Sequence, residues 1–260
     1  MNSRVMAVTP DLATRWLEGN VHNRPLRQST VERYARDMAD GKWRLTHQGI
    51  AFDDSEQLID GQHRLWAVVE SKSTIEFLVT RGLDMSAQEY IDGGEKRTTT
   101  DVLSLRGEKA SPLTTGIAVM LAKQVNRTLN PTRAEQLDIW QRHRDAILFA
   151  VGTFTRNVRG IRTAPVLTPV ARASYTYTRP DLIEFGSVLC DGVSSSKRHA
   201  PIIMLRNLLL ERNPKRSDIY PKTSRALFAF LTDEPIKTLY ASSEELFPLP
   251  EELKKRGKKR

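Results

Sequence analysis

The sequence has a single cysteine, Cys190. No intrachain disulfide can form, and cysteine-based zinc or iron–sulfur chemistry is excluded, a usage that suits a reducing cytoplasm. Long apolar runs are missing as well: none approaches the roughly 20 residues needed to span a bilayer, so no membrane partner is expected. The opening stretch MNSRVMAVTPD lacks the apolar core of a secretion signal. His22, His47, His143 and His199 fall at no metal-ligand spacing. Neither GxxxxGK[ST] nor GxGxxG occurs, which excludes a Walker loop and a dinucleotide fingerprint. There is no repeat of fixed period and no low-complexity linker.

What remains is ordinary globular material with a basic bias. Apolar residues make up 39% and charged residues 27% of the 260 positions, enough for one large domain or two small ones around packed cores. The net charge of +9 points to an anionic partner, with DNA the leading candidate. Its distribution is uneven. Six basic side chains crowd the last seven residues, KKRGKKR, so the rest of the chain carries only +3. Residues 251–260 therefore read as a flexible basic tail with sequence-independent phosphate affinity, or as a solvated end that aids solubility.

Local signals divide the chain. Thr9-Pro10-Asp11 opens a short helix with Leu12 and Trp16 on its buried face. Ser29 and Glu32 have the spacing of a capping box, and Val31, Tyr34, Ala35 and Met38 form the apolar stripe of a second helix that ends at Asp40-Gly41. GIAFDDSEQLID reads as strand, turn, strand, with Asp53, Asp54 and Ser55 in the turn. A helix begins near Gln62 with Leu65, Trp66, Val68 and Val69 predicted inward, and a strand follows from Thr74. After the Asp92-Gly93-Gly94 break, Thr98, Thr99 or Thr100 caps a helix through Asp101. From Ser111 the pattern is helical almost throughout. The fold class is α+β: a mixed α/β domain over residues 1–108, a helical domain over 109–250, and the tail.

The corner LIDGQHRLWAVV, Leu58 to Val69, concentrates chemistry. A strand stops at Asp60-Gly61, and a helix starts where Gln62, His63 and Arg64 stand in a row. A helix N-terminus offers backbone N–H groups and the positive end of the dipole. Gly61 lets a ligand approach the backbone, Arg64 has the fork to grip phosphate oxygens, and His63 can donate a further hydrogen bond. Together they form an anion site. Plain readings exist beside these: Asp60 as a cap, His63 as a structural histidine, Asp92 as a turn residue, Lys96-Arg97 as a solvated pair, and Trp43, Trp66 and Trp140 as core residues rather than base-stacking ones.

Asp60-Gly61-Gln62-His63-Arg64-Leu65 with Ala67 resembles the signature of the ParB/sulfiredoxin-like superfamily, in which a G-x-[HR]-R segment opens a helix and binds nucleotide phosphates. The NRPL…W stretch before it, and Asp92-x-Gly-x-x-Arg97-Thr98 with Asp101 after it, are similar to a bacteriophage and prophage branch, a setting that implies a bacterial cytoplasm. The resemblance covers roughly the first 108 residues well, a usual domain length, and the helical remainder loosely, to the FPLP element at Phe247–Pro250.

The resemblance implies nucleotide phosphate chemistry with ATP or another nucleoside triphosphate and Mg2+. Gln62 stands where sulfiredoxins carry their reactive cysteine, which argues against sulfinic-acid reduction. Asp60 matches the acid that free-serine kinases of this fold retain. The implied activity is a kinase: Asp60, His63 and Arg64 catalytic, Gly61 to Arg64 on the phosphates, Asp60 as the Mg2+ ligand, and Asp92, Lys96, Arg97 and Thr98 as a secondary set. The acceptor would be a hydroxyl, including that of a hydroxymethylated base in phage DNA. A nucleotide-gated DNA-binding protein of the ParB type is the alternative. A ParB-like nuclease comes third, because two-metal hydrolysis needs more carboxylates than the motif supplies.

Overall fold

The computed structural model describes residues 1–18, 25–84, 97–126, 128–211, 215–241 and 244–257, with side chains to residue 253 at the C-terminal end. The chain is α+β and forms two compact units: Met1–Arg97 with Asn130–Ala134, and Thr98–Leu129 with Glu135–Arg260. The division falls at Arg97/Thr98 rather than near residue 108. Asn130–Ala134 joins the first unit, where Pro131 and Thr132 are buried and the Asn130 carbonyl accepts from Arg36 Nη2 at 2.7 Å. No helix of the described residues is long and apolar enough to cross a membrane.

The first unit contains β1 (Asn2–Val8), α1 (Pro10–Glu18), α2 (Gln28–Ala39), β2 (Ile50–Asp53), β3 (Leu58–Asp60), α3 (Gln62–Ser71) and β4 (Ile75–Leu83). Its sheet has the order β1-β4-β2-β3. β1 and β4 are antiparallel, β4 and β2 parallel, and β2 and β3 antiparallel. The β2–β3 turn is closed by Asp53, whose buried carboxylate accepts from the N–H groups of Ser55 and Gln57 at 2.9 and 2.7 Å. α3 then carries the chain back so that β4 can lie parallel to β2, the crossover that parallel pairing requires.

α3 packs against α1 and α2 over a core that includes Val8, Val31, Ile50, Phe52, Leu65, Val68, Phe77 and Val79. Trp16 meets Phe52 edge-on with centroids 5.1 Å apart, and Trp43 sits between Tyr34 and Phe77. Trp66 departs from its predicted inward position: it is 41% exposed, because α3 buries Leu65 and Val68 while residue 66 falls on the outer side of that stripe. The Ser29–Glu32 box also does not form. α2 begins two residues earlier, at Gln28, and no side chain caps its N-terminus at Arg27. β1 was not expected. It is an edge strand exposed over most of its length, so it lacks the alternation that marks a half-buried strand.

The second unit is helical: α4 (Thr99–Leu105), α5 (Pro112–Val125), α6 (Arg133–Gly152, from Glu135 onward), α7 (Ala164–Ala173), α8 (Arg179–Asp191), α9 (Ala200–Leu210), α10 (Arg216–Leu231) and α11 (Pro250–Gly257). Sequence-coded caps hold several of them. Ser111 and Thr114 form a reciprocal box on α5, Thr98 and Asp101 form one on α4, and Thr178 caps α8. α7 packs on α5 and α10, and α9 on α8 and α10. The expected tail corrects to a docked helix at its start. Glu251 and Glu252, in the first turn of α11, pair with Arg142 and with the fully buried Arg172, so charge complementarity holds this segment down.

Candidate phosphate-binding corner

The corner lies where β3 ends beside the beginning of β2, since Asp60 is the register partner of Ala51. Two glycines allow its tight packing. A Cβ at Gly49 would stand 1.6 Å from the carbonyl oxygen of Leu78, so β4 backbone passes directly over that position. Gly61 caps α3 at φ +105° and ψ 4°, and a Cβ there would meet Ile50 Cδ1 at 2.6 Å. Sequence reasoning saw Gly61 but missed Gly49. Its signal is the glycine immediately before an apolar strand, which marks close backbone approach.

The side chains of the motif converge at this point. Asp60 Oδ1 accepts from the Gly61 N–H at 2.7 Å, and Oδ2 lies 3.2 Å from Arg64 Nη1. The same Nη1 donates to the Gly49 carbonyl at 2.9 Å. One nitrogen therefore anchors the guanidinium to both glycine-built walls, while Nε and Nη2 of Arg64 have no partner among the described residues. Gln62 and His63 are buried, and no side chain caps α3. His63 does not act as the expected donor at Nε2. That atom accepts the Arg27 N–H at 3.0 Å, so it carries no proton in this arrangement and ties the start of α2 to α3.

The secondary set is placed differently. Asp92 and Lys96 lie outside the described residues. The Arg97 carbonyl accepts from Arg133 in the first unit. Thr98 belongs to the second unit, where its hydroxyl takes the Asp101 N–H at 3.2 Å and Asp101 Oδ2 takes the Thr98 N–H at 2.6 Å. That is a cap, as the sequence predicted. A groove of about 380 Å³ between α2 and α3 is lined by Glu32, Arg36, Glu70 and Ser71. Its two carboxylates make it a poor phosphate site.

No family model matches the chain, and no curated protein or solved structure matches it.

Among the described residues no cluster of three or more His, Cys, Asp or Glu side chains is placed to hold a metal ion. Asp60 fits a narrower role. Each of its oxygens has one partner and retains a lone pair, and Mg2+ commonly needs only one or two carboxylates when nucleotide phosphates and water complete its shell.

The second unit has two polar features of its own. His143, buried in α6, bonds through Nδ1 to Tyr175 Oη at 2.8 Å and through Nε2 to Glu251 at 2.9 Å. The order resembles a nucleophile relay, but its electrostatics oppose that use. Burial, with Glu251 and Asp145 nearby, raises the Tyr175 phenol above its ordinary value. Burial likewise lowers the His143 pKa, against the pull of Glu251. The triad is a tie that holds α11. The other feature is a loop carrying Arg156, Arg159 and Arg162. Arg156 pairs with Asp191 at 3.0 Å, Arg159 is exposed, and Arg162 Nε has no partner among the described residues.

Proposed function

We propose that the first unit is a ParB/sulfiredoxin-like domain that binds ATP or another nucleoside triphosphate at the Asp60–Arg64 corner. On this reading the chain is a kinase that transfers the terminal phosphoryl group to a hydroxyl, with a hydroxymethylated base of phage DNA as the acceptor. The observation that carries the reading is the unspent edge of Arg64: a guanidinium fixed by one nitrogen to Gly49 and Asp60, with Nε and Nη2 unpartnered among the described residues beside a helix start that no side chain caps. That edge matches two phosphate oxygens, and a preanchored fork loses little freedom on binding.

In the reaction the acceptor oxygen forms a bond to the terminal phosphorus as the bond to the bridging oxygen breaks and the nucleoside diphosphate leaves. The hydroxyl proton passes to Asp60. Arg64 neutralises charge on the transferring group, and Gly61, packed against Ile50 at positive φ, sets the tight turn that starts α3 beside Asp60. Mg2+, held by Asp60 and the nucleotide, would add charge neutralisation. His63 positions α2 through the Arg27 N–H rather than touching the reacting atoms.

Binding of ATP, ADP, CTP and GTP with and without Mg2+ tests the first half, using the wild-type chain and Arg64→Ala. Absence of nucleotide binding would remove the physical basis of the proposal. Transfer of radiolabelled phosphate to DNA carrying hydroxymethyl pyrimidines, or to small hydroxyl compounds, tests the second. The arginine-bearing loop of the helical unit supports a second reading, nucleotide-gated DNA binding, which predicts DNA affinity that changes when CTP or ATP is added.

A further inference from the structure

The loop between α6 and α7 carries three arginines in seven residues, Arg156, Arg159 and Arg162. The helical unit holds it against a fourth. Cys190 Sγ lies 3.9 Å from the Arg156 carbonyl, and Arg156 Nη1 pairs with Asp191 at 3.0 Å, so the loop starts beside the last turn of α8. Arg206 of α9 reaches the same turn. Its Nη1 donates to the Leu189 carbonyl at 3.1 Å, and a Cβ at Gly192 would stand 2.6 Å from its Nε. Burial pushes the Cys190 thiol up, while the charges of Arg206 and Arg156 both act on it in the opposite sense, so both guanidiniums lie near that thiol. The loop then crosses to α9. A Cβ at Gly160, the residue after Arg159, would stand 2.6 Å from the Leu209 carbonyl oxygen. Leu209 is one helical turn beyond Arg206, about 4.5 Å along the axis. Arg156, Arg159 and Arg206 therefore border one stretch of surface at the α8–α9 junction.

Folding leaves most of this charge unspent. Arg159 is exposed and has no partner among the described residues. The Arg156 side chain is 71% exposed, and a surface ion pair of that kind contributes little stability. Arg206 keeps Nε and Nη2 without partners among the described residues, and α8 is already closed by the Gly192 N–H on the Val188 carbonyl. Against the four arginines, segments 155–163, 187–193 and 205–211 carry two carboxylates, Asp191 and Glu211. They contain no Phe, Trp or Tyr.

We propose that this arginine-lined junction is the surface on which the helical unit holds duplex DNA, through the phosphate backbone and without regard to base sequence. The inference takes from the proposed function only that DNA is the partner, and it requires no nucleotide at Arg64. Arginine forks match phosphate oxygens, and arginines spread over a loop and a helix suit a polymer of phosphates better than one small anion. With no aromatic ring in these segments, unpaired bases find nothing to stack on, which favours a duplex over a single strand. Contacts to the backbone position DNA but carry no sequence information.

Fluorescence anisotropy on the full chain, without nucleotide, measures binding of a labelled duplex over a range of salt, with the matching single strand and polyglutamate as competitors. Arg159→Ala should weaken duplex binding about 8-fold at about 0.1 M salt, and the double variant Arg156→Ala/Arg159→Ala about 60-fold, with a log–log salt slope shallower by about 0.9 per arginine. The loss should be equal on unrelated sequences, the urea midpoint of Arg159→Ala should stay at the wild-type value, and Arg64→Ala should bind the duplex as wild type does. If wild type binds the duplex and the double variant binds it equally well, the surface is wrong while DNA stands as the partner. A loss in Arg64→Ala as large as that in the double variant would move the DNA to the corner and overturn the surface. So would a fall in urea midpoint that accompanies the loss in Arg159→Ala, which would mark a structural role, or competition by single strand or polyglutamate as strong as that by unlabelled duplex. If wild type binds no duplex, both the surface and DNA as partner fall, and nucleotide binding at Arg64 is untouched by that result.

Discussion

Arg64 and Arg172 are the same side chain under opposite terms. Arg172, in α7, is fully buried and saturated: Nε donates to the Phe247 carbonyl at 2.8 Å with Glu245 at 3.3 Å, Nη1 donates to Gln124 at 3.1 Å, and Nη2 pairs with Glu252. Tyr220 closes the network on Glu245 at 2.5 Å, and burial pushes its phenol up. Arg64 remains partly exposed and spends one nitrogen. A buried cation must be fully satisfied or it destabilises the fold, so Arg172 has nothing left to offer a ligand. Arg64 is held and still has hydrogen-bonding capacity. The difference separates a structural arginine from a candidate binding one better than sequence context does.

The sharpest way to break the contrast is to remove each arginine. Arg172→Ala leaves Glu245 and Glu252 without their cation and should cost about 3–5 kcal/mol in urea unfolding of the full chain. Arg64→Ala should lower nucleotide affinity about 100-fold, since two charge-assisted hydrogen bonds are lost, yet change unfolding by at most about 1 kcal/mol. If Arg64→Ala destabilised as much as Arg172→Ala, the corner would be structural. Gly61→Ala lies between them. The positive φ and the clash with Ile50 should cost about 1–3 kcal/mol, read as a lower urea midpoint, together with weakened nucleotide binding.

Two smaller effects belong to the helical unit. The folded-state pKa of His143 lies below the ordinary 6.5, chiefly because of burial. At higher pH the imidazole is neutral folded or unfolded, and its contribution is fully present. As pH falls below 6.5 the unfolded chain takes the proton first, so stability is lost with acid. Glu251 adds in the same direction. Burial works to raise its carboxyl, but its backbone hydrogen bond, His143 and Arg142 together leave it below the ordinary value. A wild-type Tm that falls between pH 7 and 5, with a shallower fall in His143→Gln, is the expected outcome. Thr98→Ala should cost about 1 kcal/mol through the lost cap and leave nucleotide binding unchanged. A binding defect in that variant would return Thr98 to the site.

Much of the architecture was legible in short-range chemistry. Ser111 and Thr98 announced helices because a hydroxyl that accepts an N–H two or three residues on needs no distant partner. Asp53 marked its turn for the same reason. β1 was not legible, since an exposed edge strand carries little pattern. The capping box at Ser29 failed because a distant residue, His63, fixed Arg27 and moved the helix start. The docking of α11 was hidden behind the basic residues that follow it, because the partners of Glu251 and Glu252 lie far away in sequence.

At the corner itself, the sequence determined the ingredients: a strand that ends in Asp60-Gly61, a helix that starts at Gln62, and an arginine one turn in, all set by local backbone preferences. Tertiary structure decided their use. The carbonyl of Gly49, the neighbouring β2 backbone and the N–H of Arg27 arrive from elsewhere in the chain, and only their arrival anchors Arg64 by one nitrogen, turns His63 into an acceptor and leaves Trp66 outside the core. Local propensity reaches a few residues along the chain, whereas hydrogen-bond partners and burial depend on what the fold brings alongside.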